Sequence, residues 1–578
     1  MQVYRSLKFA GLILLIGLLV SACGGAAPAP APAETQAEEP AAAAEEAVEE
    51  PAPAEEAAEE PAAEEPAEEP AAEADSGAEN VLTVAIPGDI ETLDPSFGAA
   101  EIANTVLKNI YDQPVRYVRQ DTGEGYLRAD VTQLEGAVWE SFELQPDGVT
   151  YKIKVRPGMT FVESGEEITA ETIKYKFERA FGVAVSDQWV ANTAGVFGMD
   201  QIQVDGPYEL TITLSQPNPL FGPLMRDQDF GIIDPTAIEA NATDADPWGT
   251  EWAAKNYAGS GEFYVESWTP GSEMVLRANP DYWAGPACFD KVVLKVIPDS
   301  AQRALLLSQG AVDIATNLSV DETESLRGTD GVRVLSIPSR NQVMMGLNNE
   351  IAPFDNVQVR QALSYAVPYE QIVNDVFQGQ GAVAQSSFPS LAQFATPDFW
   401  PYSYDPEQAQ ALLAEAGYPD GFEFTLAIPA GDAEMEGVAV VLQNAFREIG
   451  VDMTIDKQAG GPFFQGLAER THQSWMRAAL NYVDDPFYHL FLWYKTDTVI
   501  NWFNYSNARI DEITDILATE LDPDRRAELS REVQEIINNE APALYVGELN
   551  FLLAMRDDLT GFVLEPDHLL SFYEMCRE

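Results

Sequence analysis

Apolar and polar residues alternate along the chain with two different periods. In residues 148–161 the period is two, which indicates a strand with one face exposed to solvent. In residues 169–181 apolar residues recur every three or four positions, which indicates a helix that Thr169 can cap. The same patterns predict strands at 81–86, 208–215 and 291–298, and helices at 356–367, 405–417, 438–450 and 524–542. Because strands and helices are mixed throughout, the predicted fold class is α/β or α+β.

The amino-terminal residues have the pattern of an export signal. Arg5 and Lys8 precede an apolar stretch, 9–20, that is followed by small residues. This stretch is shorter than the roughly 20 apolar residues that span a bilayer, so we interpret 1–22 as a cleaved signal peptide. The residues around Cys23 resemble a bacterial lipobox, which predicts a lipid on Cys23 and anchoring to the outer face of the cytoplasmic membrane, in a periplasm or at a cell surface. An ordinary signal followed by a chance cysteine is the alternative.

A low-complexity segment follows the cysteine. Residues 24–80 include 18 acidic residues, no basic residue and no Leu, Ile, Phe, Tyr or Trp. Such a segment cannot bury enough apolar surface to offset the entropy of ordering. Residues 23–80 are therefore predicted to form a disordered tether.

The rest of the chain, from residue 81, is rich in aromatic residues and long enough for two or three lobes. The formal net charge of the protein is −61, which argues against nucleic acid as a partner because phosphates would be repelled. In an oxidising, exported setting the remaining cysteines are expected to pair, so we predict a disulfide between Cys288 and Cys576, with two buried thiols as the alternative. The three histidines share no metal-ligand spacing, so neither a metal nor another cofactor is predicted.

Six segments, in this order along the chain, resemble one protein family. They include a Leu-Asp-Pro turn at 93–95 and an Asn-Pro-Asp-Tyr-Trp element at 279–283. The full set is 82–97, 126–161 with 168–180, 259–283, 353–367, 404–422 and 505–513. Together they resemble the solute-binding proteins of bacterial ABC importers, in the dipeptide/oligopeptide-type class called extracellular solute-binding family 5.

The resemblance implies a two-lobed, periplasmic-binding-protein-like α/β fold of type II with an extra subdomain on the first lobe. It places the first lobe at 81–310, the extra subdomain near 113–201, the second lobe at 311–521, and a return to the first lobe at 522–578. It also implies a monomeric binding protein rather than an enzyme. Such a protein closes on a small solute and passes it to permease subunits driven by cytoplasmic ATPases.

Two regions of the first lobe are implicated in solute binding by the resemblance. In peptide-binding members the loop after the Leu-Asp-Pro turn lines the cleft, which points here to Phe97, Gly98 and Ala99; a plain turn between strand and helix is the alternative. Trp189 falls where the extra subdomain contributes an aromatic residue to the site, and burial in a local core is its alternative.

The segment 474–486 departs from the family pattern at one position. Oligopeptide-type members have, four residues before the proline, an aspartate that pairs with the α-ammonium of the peptide, and this chain has Tyr482 there. A phenol cannot replace a carboxylate in that role, so Asp484 or Asp485 is a candidate from a shifted register. Arg477 is expected to meet a carboxylate, either of the solute or of a neighbouring acidic residue. The predicted ligand-binding residues are Phe97, Gly98, Ala99, Trp189, Arg477, Asn481, Tyr482, Asp484 and Trp502.

The function predicted first is the capture of peptides for import. Aromatic residues clustered in 487–503 also suit oligosaccharides, so an oligosaccharide-binding protein is the alternative. A surface-tethered hydrolase is a third hypothesis, but G-x-S-x-G, H-E-x-x-H and P-loop motifs are absent from the sequence.

Overall fold

The computed structural model describes residues 79–98, 100–498 and 500–578. The predicted signal peptide, Cys23, nearly all of the predicted tether and Ala99 lie outside the described residues. Within the described ranges, no helix is both long enough and apolar enough to cross a membrane.

Strands occur from one end of the described chain to the other. They are β1 (Val81–Ile86), β2 (Val115–Asp121), β3 (Leu127–Gly136), β4 (Trp139–Leu144), β5 (Thr150–Val155), β6 (Ile202–Gly206), β7 (Glu209–Thr213), β8 (Phe263–Thr269), β9 (Glu273–Ala278), β10 (Lys291–Val296), β11 (Ile314–Ala315), β12 (Val332–Leu347), β13 (Gly381–Ala382), β14 (Glu423–Pro429), β15 (Asp452–Gln458), β16 (Ser474–Ala479), β17 (Ala543–Arg556), β18 (Leu559–Thr560), β19 (Val563–Leu564) and β20 (Cys576–Arg577).

Helices alternate with these strands. They are α1 (Glu101–Ile110), α2 (Ala170–Val183), α3 (Ser186–Thr193), α4 (Phe221–Leu224), α5 (Pro235–Asn241), α6 (Thr250–Ala253), α7 (Ser300–Ser308), α8 (Val320–Leu326), α9 (Val357–Tyr365), α10 (Tyr369–Gln371), α11 (Pro406–Glu415), α12 (Ala433–Glu448), α13 (Gly460–Ala468), α14 (Pro486–Trp493), α15 (Ala508–Leu517) and α16 (Pro523–Glu540). Short 3-10 turns lie at Pro95–Phe97, Met199–Gln201 and Gln228–Phe230, and one π-helical turn lies at Ile372–Val376.

Aspartate followed by proline begins several of the helices. The side chains of Asp234, Asp405, Asp485 and Asp522 accept hydrogen bonds from backbone N–H groups in the first turns of α5, α11, α14 and α16. Proline is tolerated at the first helical position because the N–H that it lacks would have no acceptor within the helix. The aspartate cap and the proline together therefore determine the residue at which each helix begins. The helices predicted from periodicity are confirmed as α2, α9, α11, α12 and α16, and the predicted strands as β1, β5, β7 and β10.

One eleven-stranded sheet forms the centre of the fold. Its strand order is β15-β14-β16-β12-β17-β11-β1-β10-β9-β8, and β13 pairs with β17. The long strands β12 and β17 are antiparallel neighbours along most of their length. Their register shifts between Ile337 and Asn341, so a bulge interrupts the pair near its middle.

Two apolar cores lie on either side of this bulge. Before it, Leu335 and Ile337 of β12 pack with the core formed by β1, β9 and β10. After it, Val343 and Met345 pack with the core formed by α9, α12 and β14. The described chain therefore has two lobes, and β12 and β17 run through both of them.

A separate four-stranded sheet, β4-β5-β7-β6, packs through Ile153 and Ile212 on the apolar face of α2, which includes Ile173 and Phe177. Near the carboxyl end, β19 joins β3 and β2, and β18 pairs with β20. The structure joins Cys288 to Cys576 in a disulfide, with Cα atoms 5.2 Å apart. This bond connects the last residues of the chain to the middle of the first lobe.

Candidate functional site

Three short elements of the first lobe lie side by side at the candidate site: the turn Pro95–Phe97, helix α3 and the turn Gln228–Phe230. The hydroxyl of Ser186, at the start of α3, donates a hydrogen bond to the backbone oxygen of Ser96 at 2.5 Å. The hydroxyl of Ser96 donates in turn to Asp187 at 2.6 Å. These bonds fix the turn after the Leu-Asp-Pro sequence against α3.

A buried ionic network lies beneath these elements. Arg179 donates to Asp94 at 2.9 Å and to the Ser96 hydroxyl at 2.8 Å, and Lys176 donates to Asp187 at 3.1 Å. The side chains of both ion pairs are 0% exposed. A buried pair is stable only when its remaining donors and acceptors are also bonded, as they are here, so the network acts as a rigid support. Sequence reasoning did not identify it, although basic residues on the apolar face of α2 were a visible signal.

Gly98 brings the loop close to α1. A Cβ atom added at Gly98 would lie 2.3 Å from the Asn104 side-chain oxygen and 2.7 Å from the Leu107 side chain, so a larger residue would require either the loop or these side chains to shift. Phe97 beside it is half-buried.

Trp189 lies where the two lobes meet. Its side chain is 40% exposed, and its ring is 6.5 Å from the ring of Tyr488, edge to face. Trp189 belongs to α3 in the first lobe and Tyr488 to α14 in the second lobe. The two lobes are therefore in contact across the cleft in this structure.

Arg477 supplies a cation from the second lobe. Its guanidinium lies 5.4 Å from the ring of Phe464 and 5.7 Å from that of Trp502. Its Nε donates to the backbone oxygen of Ala478 at 3.0 Å, but no carboxylate of the described residues lies within 4.0 Å of the guanidinium. Burial lowers the pKa of Arg477. A cation held in this way favours an anionic group of a solute.

Tyr482 faces the first lobe. Its side chain is 42% exposed, and partial desolvation together with the charges of Asp227 and Asp567 raises its pKa to about 12. The hydroxyl is therefore protonated at neutral pH and can donate a hydrogen bond. Charges of both lobes act on it, those of Asp227 and Asp567 from the first lobe and that of Arg477 from the second.

The other polar residues after β16 have internal partners. Asp484 lies 3.1 Å from the guanidinium of Arg340 and accepts a hydrogen bond from the backbone N–H of Gln393. Asp485 caps α14 and forms an ion pair with Arg526. Both carboxylates considered for a shifted register are thus engaged by protein groups.

Asn481 and Trp502 are held by aromatic neighbours. The amide of Asn481 donates to His489 at 2.5 Å and accepts from the indole N–H of Trp493 at 3.0 Å. The ring of Trp502 packs edge to face against that of Trp493, with the centroids 5.7 Å apart. The guanidinium of Arg477 also lies 5.7 Å from the ring of Trp502. The structure therefore places Arg477 beside Trp502 in the second lobe and Trp189 against Tyr488 between the lobes, and it directs Asn481 and Asp484 into the protein.

Sequence reasoning missed two acidic residues of the first lobe. Asp227 and Asp229 flank the start of the turn Gln228–Phe230, and each is only 9% exposed. Burial raises the pKa of both carboxyl groups, and the charge of Asp227 raises that of Asp229 further. Nothing in the local sequence Arg-Asp-Gln-Asp-Phe marks these residues as buried, because their burial comes from packing against other elements, which include α1, α3 and the turn Pro95–Phe97.

The described residues contain no cluster of three or more His, Cys, Asp or Glu side chains that could hold a metal ion. The cleft offers charged, aromatic and hydrogen-bonding groups from two lobes. These are the groups of a binding site for a small polar solute.

The family of the protein follows from a comparison with known families. Residues 133–501 match the model for "Bacterial extracellular solute-binding proteins, family 5 Middle". The chain belongs to the bacterial extracellular solute-binding proteins of family 5, as the resemblance implied, and is a binding protein rather than an enzyme.

Individual relatives agree with this assignment. The chain is 27% identical over 494 residues to the probable D,D-dipeptide-binding periplasmic protein DdpA of Escherichia coli (strain K12), covering 84% of this chain and 92% of that protein. It is similar, with a TM-score of 0.75 and 23% identity, to the ABC transporter-associated periplasmic binding protein DppA from Helicobacter pylori in complex with peptide STSA, over 86% of this chain and 98% of that one.

A third similarity is to the dipeptide binding protein from Pseudoalteromonas sp. SM9913 in complex with Met-Leu. The TM-score is again 0.75, at 20% identity, over 86% of this chain and all of that one, 100%. The predicted two-lobed fold of periplasmic binding proteins is confirmed by these structures and by the two cores of the chain.

Proposed function

We propose that this protein captures peptides outside the cytoplasmic membrane and delivers them to the permease of an ABC importer when its lobes close. The relatives described above are named for dipeptide binding or were solved with a bound peptide, which supports a peptide as the solute. The single observation that carries the proposal is Arg477, a guanidinium near two aromatic rings with no carboxylate of the described residues within 4.0 Å, although the charge of Asp432 acts on it from farther away. The carboxylate of a peptide would supply the missing charge and acceptors.

Closure couples binding to delivery in this proposal. A solute that contacts both lobes stabilises the closed form by its greater affinity for that form, and the closed shape reports occupancy to the permease. The bulge in β12 between Ile337 and Asn341 is the proposed hinge, because the residues of β12 before it pack in the core with β1 and Val343 and Met345 after it pack in another core. The proposed lobe boundaries remain 81–310 with the subdomain near 113–201, 311–521, and 522–578.

We further propose that a lipid on Cys23 and the tether 23–80 hold a monomeric binding domain near its permease. The tether has an acidic, proline-rich composition that favours extended chains. This arrangement keeps the binding domain at a high local concentration around the importer.

An oligosaccharide is the second candidate solute. The exposed faces of Trp189 and Tyr482 favour it, since aromatic rings are good platforms for sugar rings. Mass spectrometry of the solute retained on the natively purified protein would distinguish the two candidates. Incubation with peptide and glycan mixtures would test the hydrolase hypothesis, because a binding protein returns both mixtures intact.

The variant Arg477→Met tests the role of Arg477 directly. Methionine keeps an apolar stem between the rings and removes the charge, so we expect retention of a tripeptide mixture to fall about tenfold or more, as for other desolvated charge pairs. Retention of the same mixture amidated at the carboxyl end should be weak and equal in both proteins. Arg327→Met is the control, because Arg327 is exposed and, among the residues that the structure describes, its one ion pair is with Glu324. Unchanged retention by Arg477→Met would contradict carboxylate binding at this position.

A further inference from the structure

One contact between the two lobes is made by side chains of the protein itself. The ring of Trp189, in α3 of the first lobe, packs edge to face on the ring of Tyr488, in α14 of the second lobe, with the centroids 6.5 Å apart. Tyr488 also belongs to a cluster of buried apolar residues that includes Val190 and Ala191 of α3 and Val483 of the second lobe. The lobes therefore meet at this place through apolar side chains.

The first-lobe side of this contact has a fixed position. Asp187 of α3 accepts a hydrogen bond from Lys176 at 3.1 Å, in an ion pair whose side chains are both fully buried. Ser186, at the start of α3, donates to the backbone oxygen of Ser96 at 2.5 Å. Because these bonds join α3 to α2 and to the turn Pro95–Phe97, Trp189 is held by the body of the first lobe.

The second-lobe side is fixed in a similar way. Asp485 caps α14 by accepting the backbone N–H of Tyr488 at 3.3 Å, and it forms a buried ion pair with Arg526. Arg526 also donates to the backbone oxygen of Leu517, the last residue of α15, at 2.9 Å. One guanidinium thus joins the start of α14 to the end of α15, so Tyr488 moves with the second lobe.

The exposures of the two rings separate their roles. Trp189 is 40% exposed, so a solute in the cleft can contact it. Tyr488 is only 4% exposed and offers a solute almost no surface. A substitution at Tyr488 therefore changes the contact between the lobes without removing a contact with the solute.

We infer that Tyr488 sets the strength of lobe closure, and through it the affinity for the solute, without touching the solute. An edge-to-face pair of aromatic rings is favourable beyond the burial of its surface, by an amount that changes an equilibrium constant about two- to tenfold. The pair exists only while the lobes are in contact, so it favours the closed form over the open form by this factor. The inference rests on the lobe closure of the proposed function and adds a residue by which the protein itself favours closure.

Closure that the protein favours by itself lowers the cost that the solute must meet. The apparent affinity for a solute scales with the fraction of molecules in the form that binds it. The contribution of Tyr488 is therefore the same for every solute that the cleft accepts, whereas that of Arg477 depends on an anionic group of the solute.

Small-angle X-ray scattering of the full protein, freed of solute by dialysis, tests the inference. Tyr488→Leu keeps an apolar side chain and removes the ring, so we expect a larger radius of gyration than for the unmodified protein and up to about tenfold weaker retention of the tripeptide mixture. Tyr488→Phe keeps the ring and should match the unmodified protein in both measurements. Tyr404→Leu is the matched control, because Tyr404 is 44% exposed and bonds Glu448 at the carboxyl end of α12.

The outcomes separate the inference from the proposed function. Superimposable solute-free curves for the unmodified protein and Tyr488→Leu, or an equal change in Tyr488→Phe, would overturn the inference, and retained tripeptides would still support peptide binding. If the unmodified protein retains no tripeptide, peptide binding is wrong, and the solute-free scattering still decides the role of Tyr488. Should Tyr488→Leu fail to fold, Trp189→Leu gives the same solute-free comparison from the exposed side of the contact.

Discussion

Buried charges determine the local structure of the first lobe at the scale of single residues. Asp94 follows the first strand and would be an ordinary turn residue, but Arg179 of α2 fixes its carboxylate, and the Ser96 hydroxyl bonds both Arg179 and Asp187. The loop of Phe97 and Gly98 is therefore supported by ion pairs from another element. Its position depends on these pairs and not only on the preferences of its own sequence.

Removal of Arg179 tests this support. In Arg179→Met, Asp94 stays buried without its cation, so we expect the free energy of unfolding to fall by about 3–5 kcal/mol. Arg327→Met, which breaks an exposed pair, should change it by no more than about 0.5 kcal/mol. Urea unfolding followed by tryptophan fluorescence measures both. Equal effects of the two substitutions would mean that the buried pair does not support the turn.

The sequence identified the residues of the cleft only in part, for a physical reason. Trp189 and Arg477 could be proposed because a resemblance placed them, and Tyr482 because it departs from a pattern. Asp227 and Asp229 lie in a short charged run that looks exposed in the sequence, and they are buried by elements that are distant in sequence, among them α1 and α3. Local patterns do not report such burial, since it depends on contacts between distant parts of the chain.

At the scale of elements, local signals and long-range pairing differ in how well the sequence reveals them. Periodicity placed the helices well, because an amphipathic face is a local property, and the aspartate-proline pairs that begin α11 and α16 are local features too. The bulge between β12 and β17 could not be predicted, because it exists only in the register between strands far apart in sequence. The proposed hinge therefore depends on how β12 pairs with β17 and has no local signal in the sequence.

The disulfide joins Cys288 to Cys576 of β20, two residues that are 288 positions apart in the sequence. In the double variant Cys288→Ser, Cys576→Ser, we expect the protein to lose about 2–5 kcal/mol of stability, through the added freedom of the unfolded chain. Peptide retention should stay unchanged below the melting transition, because β18 and β20 contribute no side chain to the cleft described here. Calorimetry and the tripeptide assay would check both statements. A loss of retention in a fully folded double variant would contradict the second.

At the scale of the whole molecule, each lobe has a core of its own, the lobes share two long strands, and a further cluster of buried residues includes side chains of both lobes. This arrangement permits the lobes to move as units about the bulge, while the solute supplies contacts that neither lobe supplies alone. The contact between Trp189 and Tyr488 joins the two lobes across the cleft in this structure.

Small-angle X-ray scattering of the protein with and without the tripeptide mixture tests lobe closure most directly. We expect the radius of gyration to fall when peptide is bound, because the lobes approach each other, and the peptides recovered afterwards to be chemically unchanged. Superimposable scattering curves at saturating peptide would contradict the central claim that the solute is what closes the two lobes.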